Sequence, residues 1–263
     1  MNTQANCESC ALHNKANLVK LGIDLDQVDY VIAMAGNPNT GKSTVFNNLT
    51  GLRQHTGNWP GKTVARAEGG FSFNEKRYKM VDLPGTYSLL STSTDEEVAR
   101  NFILFGQPDV TVIVVDATRL ERNLNLVMQV LEITDRAVLC LNLMDEAKRN
   151  NLEIDVRTLS KELGIPVIPA AARRRQGMNE LLQAIEDVAT GKYVCRPYKI
   201  KSRSTKLNHA IAELSAKLTK QFPNLPNTKW VALRLLEGDN SIIEAVRNGE
   251  LGSISAGESG IQA

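Results

Sequence analysis

The stretch Gly36-Asn37-Pro38-Asn39-Thr40-Gly41-Lys42-Ser43, followed by Thr44, constrains this chain more than any other. It is a complete G-x-x-x-x-G-K-[ST] phosphate loop, set between the apolar run Val31-Ile32-Ala33-Met34-Ala35 and the helix-compatible segment Thr44-Val45-Phe46-Asn47-Asn48-Leu49. A strand that turns through glycines into a helix offers phosphate a row of backbone N–H groups and the positive end of the helix dipole. In such a loop Lys42 reaches the β- and γ-phosphates, and the Ser43 hydroxyl ligates Mg²⁺.

The rest of the pattern supplies the sheet that this loop requires. From Tyr30 to Thr190, short β-branched runs alternate with helical segments, which reads as βα units around a mostly parallel sheet. Residues 52–64 are expected to form a loop, because Gly57, Pro60 and Gly61 interrupt them. Gly70–Phe73 and Tyr78–Asp82, joined by polar residues, look like a hairpin. Helix is expected from Asp95 to about Phe105, strand from Val110 to Asp116, helix from Asn123 to Thr134, and strand from Ala137 to Leu141. Helix Val156–Leu163 stops at Gly164, strand Pro166–Pro169 follows, and helix Asn179–Ala189 stops at Gly191. Composition then shifts: three helices, near Thr205–Phe222, Trp230–Glu237 and Ser241–Asn248, are expected, the first two separated by Pro223 and Pro226. The expected layout is an extension over 1–28, an α/β domain over 29–191, a small all-helical domain over 192–252 and a disordered end over 253–263.

Several classes of function are excluded or weakened. A net charge of +2 is too near neutral to argue for nucleic acid or a membrane surface on its own. No run approaches the roughly 18 uncharged apolar residues of a membrane helix, and Met1–Asn6 lacks the basic and apolar regions of an export signal, so the chain as given reads as soluble. Four cysteines suit a reducing compartment better than a disulfide framework. Cys7, Cys10 and His13 form a C-x-x-C-x-x-H spacing that lacks a fourth ligand. A tail with two reduced cysteines is the plainer reading, and a weak Zn²⁺ or Fe²⁺ site or a redox pair is the alternative.

Two further motifs narrow the ligand. Asp82-Leu83-Pro84-Gly85 places a carboxylate at a strand end, where it could hold Mg²⁺ through water, and a glycine whose N–H could meet a γ-phosphate. Asn142-Leu143-Met144-Asp145 chooses the base. A carboxylate there accepts hydrogen bonds from N1–H and the 2-amino group of guanine, whereas adenine presents an acceptor at N1. GTP is therefore favoured over ATP. Taken singly, Asp82 could be a turn former, and Asn142 and Asp145 a helix cap.

These motifs resemble the G domains of small GTPases, and most closely the cytosolic N-terminal region of the bacterial ferrous-iron transporter FeoB. The more specific part of the likeness is the run His55-Thr56-Gly57-Asn58-Trp59-Pro60-Gly61-Lys62-Thr63-Val64, with Asp82–Ser88 and Asn142–Asp145 in support. The resemblance covers nearly the whole chain. It implies a Ras-like P-loop GTPase fold with a mostly parallel sheet flanked by helices, followed by a dissociation-inhibitor-like helical domain. It also implies that Thr63 joins Mg²⁺ and closes over the γ-phosphate, with Gly61, Lys62 and Val64 around it. Ala170-Ala171-Ala172 falls where the family's fifth motif touches guanine, and without the usual serine that contact is expected from backbone alone.

Where Ras-like enzymes carry a water-orienting Gln, this chain has Thr86, too short for that task. Asn39 is similar to the asparagine with which potassium-activated GTPases bind K⁺ across the phosphates. The resemblance thus implies a GTP-hydrolysing regulatory module at the cytoplasmic face of the bacterial inner membrane. Its partners would be GTP and GDP, an iron-permeation domain beyond residue 263, small Feo accessory proteins and a possible second copy. Its rival is a slow nucleotide-sensing switch whose helical domain recruits a partner. A GTPase acting on RNA is disfavoured by the charge. Arg173-Arg174-Arg175 could steer the nucleotide or an acidic partner, though a solvated loop is the plainer reading; His55 and Trp59 read as base-stacking, partner-facing or simply packed residues, His209 as a helix-surface residue and Cys195 as a linker thiol.

Overall fold

The computed structural model describes residues 17–51, 54–90, 93–199 and 204–247. Contacts gather the chain into two units. One is Asp24–Ile103 with Pro108–Lys199; the other comprises, among the described residues, 17–23, Leu104–Gln107 and 204–247.

The first unit is built on strands β1 (Tyr30–Gly36), β2 (Gln54–Asn58), β3 (Ala65–Phe73), β4 (Lys76–Asp82), β5 (Val110–Asp116), β6 (Ala137–Asn142) and β7 (Val167–Pro169). They form one seven-stranded sheet in the order β2-β3-β4-β1-β5-β6-β7. From β4 to β7 all neighbours run parallel, and β2 and β3 are antiparallel additions at one edge. The central strands show no alternation: every residue of β6 and all but Asp116 of β5 are buried, as a strand covered on both faces must be. Register then sets the site, because Met34 stands opposite Asp82 and Asp116 opposite Asn142, so their strand ends share one edge of the sheet.

Helices α1 (Lys42–Thr50), α2 (Thr94–Asn101), α3 (Leu120–Ile133), α4 (Met144–Arg149), α5 (Val156–Leu163) and α6 (Met178–Ala189) complete this unit. Their apolar spacing decides which side faces inward. In α3, Leu126, Val127, Val130 and Leu131 are buried at helical intervals. Each such side chain contributes roughly 1.5–3 kcal/mol of transfer free energy. The start of α2 is set by Ser93, whose side chain accepts from Glu96 N–H at 3.3 Å, with Asp95, Glu96 and Glu97 in the first turn.

The second unit holds α7 (Thr205–Gln221), α8 (Thr228–Leu236) and α9 (Asn240–Arg247), with no strand among its described residues. Ser204 and Asn227 cap α7 and α8. Leu218, Phe222, Trp230, Val231 and Ile242 are buried there. No helix among the described residues is long and apolar enough to cross a membrane.

The α/β class, the mostly parallel sheet and the C-terminal helices match the expectation. Three local expectations differ. Residues 54–58, expected as loop, are strand β2, which pairs with Ala65–Gly69 of β3. Its partner strand, extended five residues beyond Gly70 toward the N-terminus, supplies the hydrogen bonds that the sequence of β2 does not advertise. The hairpin turn is tighter than expected: Asn74 and Glu75, both at positive φ, form the two-residue connection, with Phe73 opposite Lys76. The helix expected through Phe105 is regular only to Asn101 and continues as a π-helical turn over Phe102–Gly106. Cys7, Cys10, His13 and the end 253–263 lie outside the described residues.

Candidate nucleotide site

Two glycines of the phosphate loop are fixed by space. A Cβ on Gly36 would stand 2.5 Å from the Val114 carbonyl oxygen of β5. A Cβ on Gly41, whose φ is +79°, would stand 2.4 Å from Asn142 Nδ2. Between them the chain turns so that the amides of Asn39, Thr40, Gly41, Lys42 and Ser43 donate to nothing among the described residues. Five consecutive unpaired N–H groups running from the loop into the first two residues of α1 are an anion cradle. The loop is held from within by Thr40 Oγ1, which donates to Asn37 O at 3.0 Å. Asn37 is itself buried, and neither polar atom of its side chain has a partner among the described residues.

Asp82, at the end of β4, accepts a hydrogen bond from Lys42 Nζ. Both side chains are mostly buried, 18% and 11% exposed respectively. Burial pushes the Asp82 carboxyl above its ordinary value, and the charge and hydrogen bond of Lys42 pull it back. Gly85 follows against the loop, its Cβ position 3.5 Å from Pro38 Cα, and its amide has no partner among the described residues. Thr86 N–H donates to Gly36 O at 3.3 Å. Beyond it, Gln129 of α3 accepts from Leu89 N–H at 2.6 Å and Ser88 Oγ at 3.2 Å, an anchor the sequence did not single out.

Asn142 is neither a cap nor a surface residue. It is 1% exposed; Nδ2 donates to Thr40 O at 2.9 Å and Oδ1 accepts from Ala172 N–H at 3.0 Å. It therefore ties the phosphate loop to the loop after β7. The α4 helix begins just past it, after Leu143 at φ 62°, and places Asp145 in its first turn. Asp145 Oδ2 lies 3.3 Å from Arg174 Nε and 3.7 Å from Arg149 NH2. Arg174 thus stands at the rim of the candidate site; the arginine run was the signal, and only the fold shows which member reaches Asp145. The amides of Ala170, Ala171 and Ala172 are all engaged, by Leu141 O, Gln176 O and Asn142 Oδ1.

The segment with Thr63 stands apart. Thr63 is exposed in the turn closing β2 and β3, where Trp59 and Val64 share a backbone hydrogen bond and Lys62 Nζ lies 3.0 Å from Glu97 of α2. None of these bonds reaches the phosphate loop. Trp59 is packed: it is 4% exposed, edge-on to Phe102 at 5.4 Å. His55 and His209 are surface residues, and Cys195 is half-buried with Sγ 3.5 Å from Ala137 O. No group of His, Cys, Asp and Glu among the described residues forms a metal cluster.

A family model described as Ferrous iron transport protein B matches residues 30–185, and one described as FeoB cytosolic helical domain matches 204–259. The chain belongs to the ferrous iron transport protein B family. A Shigella flexneri relative, "Fe(2+) transporter FeoB", is 41% identical over 212 residues, 79% of this chain and 27% of its own length. The chain therefore spans about a quarter of the curated FeoB relatives it matches. Among solved structures, the cytosolic domain of L. pneumophila FeoB has a TM-score of 0.74 at 33% identity, covering 87% of this chain and 90% of that one. The cytosolic domain of T. maritima FeoB in GMPPNP form has a TM-score of 0.74 at 32% identity, with 88% of each chain covered.

Proposed function

We propose that this chain is the GTP-binding and GTP-hydrolysing regulatory module of a ferrous-iron transporter, acting at the cytoplasmic face of the membrane on an iron-permeation domain that follows it. The observation that carries the reading is the Asn142 bridge, which ties the phosphate cradle to the loop after β7 through two hydrogen bonds. The T. maritima relatives described in GDP and GMPPNP forms support a guanine nucleotide.

In this reading the free amides of residues 39–43 bind the α- and β-phosphates, Lys42 exchanges Asp82 for the β- and γ-phosphates, and Gly85 N–H meets the γ-phosphate. Asp145 exchanges Arg174 for N1–H and the 2-amino group of guanine. A backbone contact from Ala170–Ala172 requires the loop to open, since its amides are engaged. Mg²⁺ fits the donors present: the Ser43 hydroxyl is exposed and has no partner among the described residues, and Asp82 ends β4 against the neighbouring Lys42, while Thr63, the third candidate, would join only if its turn moved toward the loop. K⁺ fits Asn39, exposed at φ 65° with an uncommitted side-chain oxygen. Bound there, the two ions would neutralise charge developing on the phosphates. The chain's own part is to position the phosphates and exclude alternatives.

The slow-switch reading draws on the Thr63 turn, which Lys62, Trp59 and the β2–β3 ladder hold to the sheet edge. The test is GTP hydrolysis by the purified chain in potassium and in sodium at equal ionic strength, with ATP as control, repeated with Asn39→Ala. Potassium acceleration that Asn39→Ala abolishes is expected. Equal, very slow rates in both salts would favour the switch.

A further inference from the structure

Between Asp187 and Glu213 the chain carries no acid and six basic residues, Lys192, Arg196, Lys199, Lys201, Arg203 and Lys206. They alternate with Tyr193, Val194, Tyr198 and Ile200. The described part, 192–199, is firmly seated on the α/β unit. Arg196 N–H donates to Gly164 O at 2.9 Å and Tyr198 N–H to Leu163 O at 3.1 Å, so the segment caps the carbonyl end of α5. The approach is so close that a Cβ on Gly164 would lie 1.8 Å from Arg196 O.

This seating leaves apolar groups in water. Val194 is 72% exposed, Tyr198 54% and Tyr193 41%. Beside them lies a cleft of about 570 Å³, lined by Arg157, Lys161, Arg196, Tyr193 and Val194 among others, with no carboxylate in its wall among the described residues. Lys192 and Lys199 are answered by Asp187 at 3.7 Å and Asp135 at 2.8 Å. Arg157, Lys161 and Arg196 have no carboxylate at ion-pair distance among the described residues. None of these residues belongs to the nucleotide site.

Three unanswered cations around a concavity call for an anion, and phosphate esters suit two arginines. The exposed rim says where the phosphate sits. Tyrosines interleaved with Lys and Arg are the chemistry of the bilayer interface, and exposed Val194 has a use in acyl chains that it lacks against a nucleic-acid base or a free ion. We propose that the 193–198 segment and α5 form a docking site for anionic phospholipid headgroups, holding the α/β unit to the membrane surface.

The test is co-sedimentation of the whole chain with phosphatidylcholine vesicles with and without phosphatidylglycerol. Binding only to the anionic vesicles, falling steeply with salt, is expected. Replacing Arg157, Lys161 and Arg196 together by Gln should weaken partitioning roughly a hundredfold. Tyr193→Ser with Val194→Ser should weaken it while leaving the charge unchanged. Circular dichroism and GTP binding of each variant, both expected unaltered, show that it is folded. Equal binding to neutral vesicles, or triple-variant binding like the parent, overturns the proposal. So does displacement by inorganic phosphate at constant ionic strength, which would make the cleft a free-anion site, or tighter binding to single-stranded RNA than to vesicles.

Discussion

At the phosphate end of the site, Asp82 faces Lys42 with the cation 11% exposed; at the base end, Asp145 is just as shielded, at 15%, yet its partners Arg174 and Arg149 stand 59% and 65% in solvent. The chemical pairing is alike and the consequence is not. A buried cation removed from a buried carboxylate leaves a charge that must be answered at once, so the phosphate end can release Lys42 only as something else takes its place. Exposed arginines are screened and mobile, and a surface pair contributes about 0.2–1 kcal/mol. With nucleotide bound as proposed, the base end would exchange its partner cheaply, while the phosphate end would couple the movement of Lys42 to the arrival of phosphates and a substitute cation.

The largest effect should come from removing the Asp145 carboxylate, whose partner can be exchanged but whose charge cannot be supplied by another group. Two hydrogen bonds from guanine to a charged acceptor contribute about 1.5–3 kcal/mol each. Asp145→Ala should accordingly lower GTP affinity by roughly 10²–10⁴-fold in a titration with a fluorescent analogue. Asp145→Asn should shift preference toward xanthosine triphosphate, whose 2-oxo group accepts where guanine donates. Unchanged GTP affinity in either variant would remove Asp145 from the base-reading role.

Asn142→Ala attacks the bridge between the two ends. It leaves Thr40 C=O and Ala172 N–H without partners in a buried setting. A loss of about 2–4 kcal/mol in urea unfolding is expected, with Asn142→Asp recovering only the bond to Ala172 N–H. Loss of GTP affinity with unchanged stability would mean that the residue touches nucleotide directly.

The acid limit separates the ends again. The folded pKa of Asp82 is raised above 3.8, chiefly by burial. The folded chain holds that proton more tightly than the unfolded chain, so the linked stability is present below 3.8 and is lost as pH rises through the folded value. For function the sign runs the other way: if Asp82 holds Mg²⁺ as proposed, protonation would remove that acceptor. Mg²⁺-dependent GTP affinity should fall, by about tenfold per pH unit once below the raised pKa, at a pH where an exposed aspartate would still be ionised. Asp82→Asn should bind weakly and show no such step.

The contrast also explains what was legible in the residues themselves. Gly36, Gly41 and Lys42 announce the phosphate end because backbone geometry and a fixed loop length leave few alternatives. The central strands announced themselves through unbroken apolar runs such as Val110–Val115. β2 did not, because Gln54-His55-Thr56-Gly57-Asn58 becomes a strand only by borrowing the ladder of β3, a tertiary effect. Asn142 was read by its motif, yet its two hydrogen bonds join residues 102 and 30 positions away. The turn of Arg174 toward Asp145 depends on the short 3₁₀ turn Ala172–Arg174, closed by Arg175 at φ 56°, which local pattern does not signal.

That arginine provides the smallest and most discriminating test. If Arg174 is merely a solvated loop residue, Arg174→Ala leaves nucleotide binding unchanged. If it competes with guanine for Asp145, its removal frees the carboxylate and should tighten GTP binding by up to about fivefold, the upper range for an exposed ion pair. The gain should appear mainly in the association rate, because the bound state lacks the pair that was removed. It should also shrink toward nothing as salt is raised, since screening already weakens the competitor in the parent chain. A similar change at Lys42 should not behave this way: Lys42→Ala removes the partner of Asp82 and, as proposed, a ligand of the phosphates, so binding is expected to fall at every salt concentration. Opposite signs for two cation removals at the two ends of one site would establish that Asp145 exchanges its partner freely while Asp82 does not.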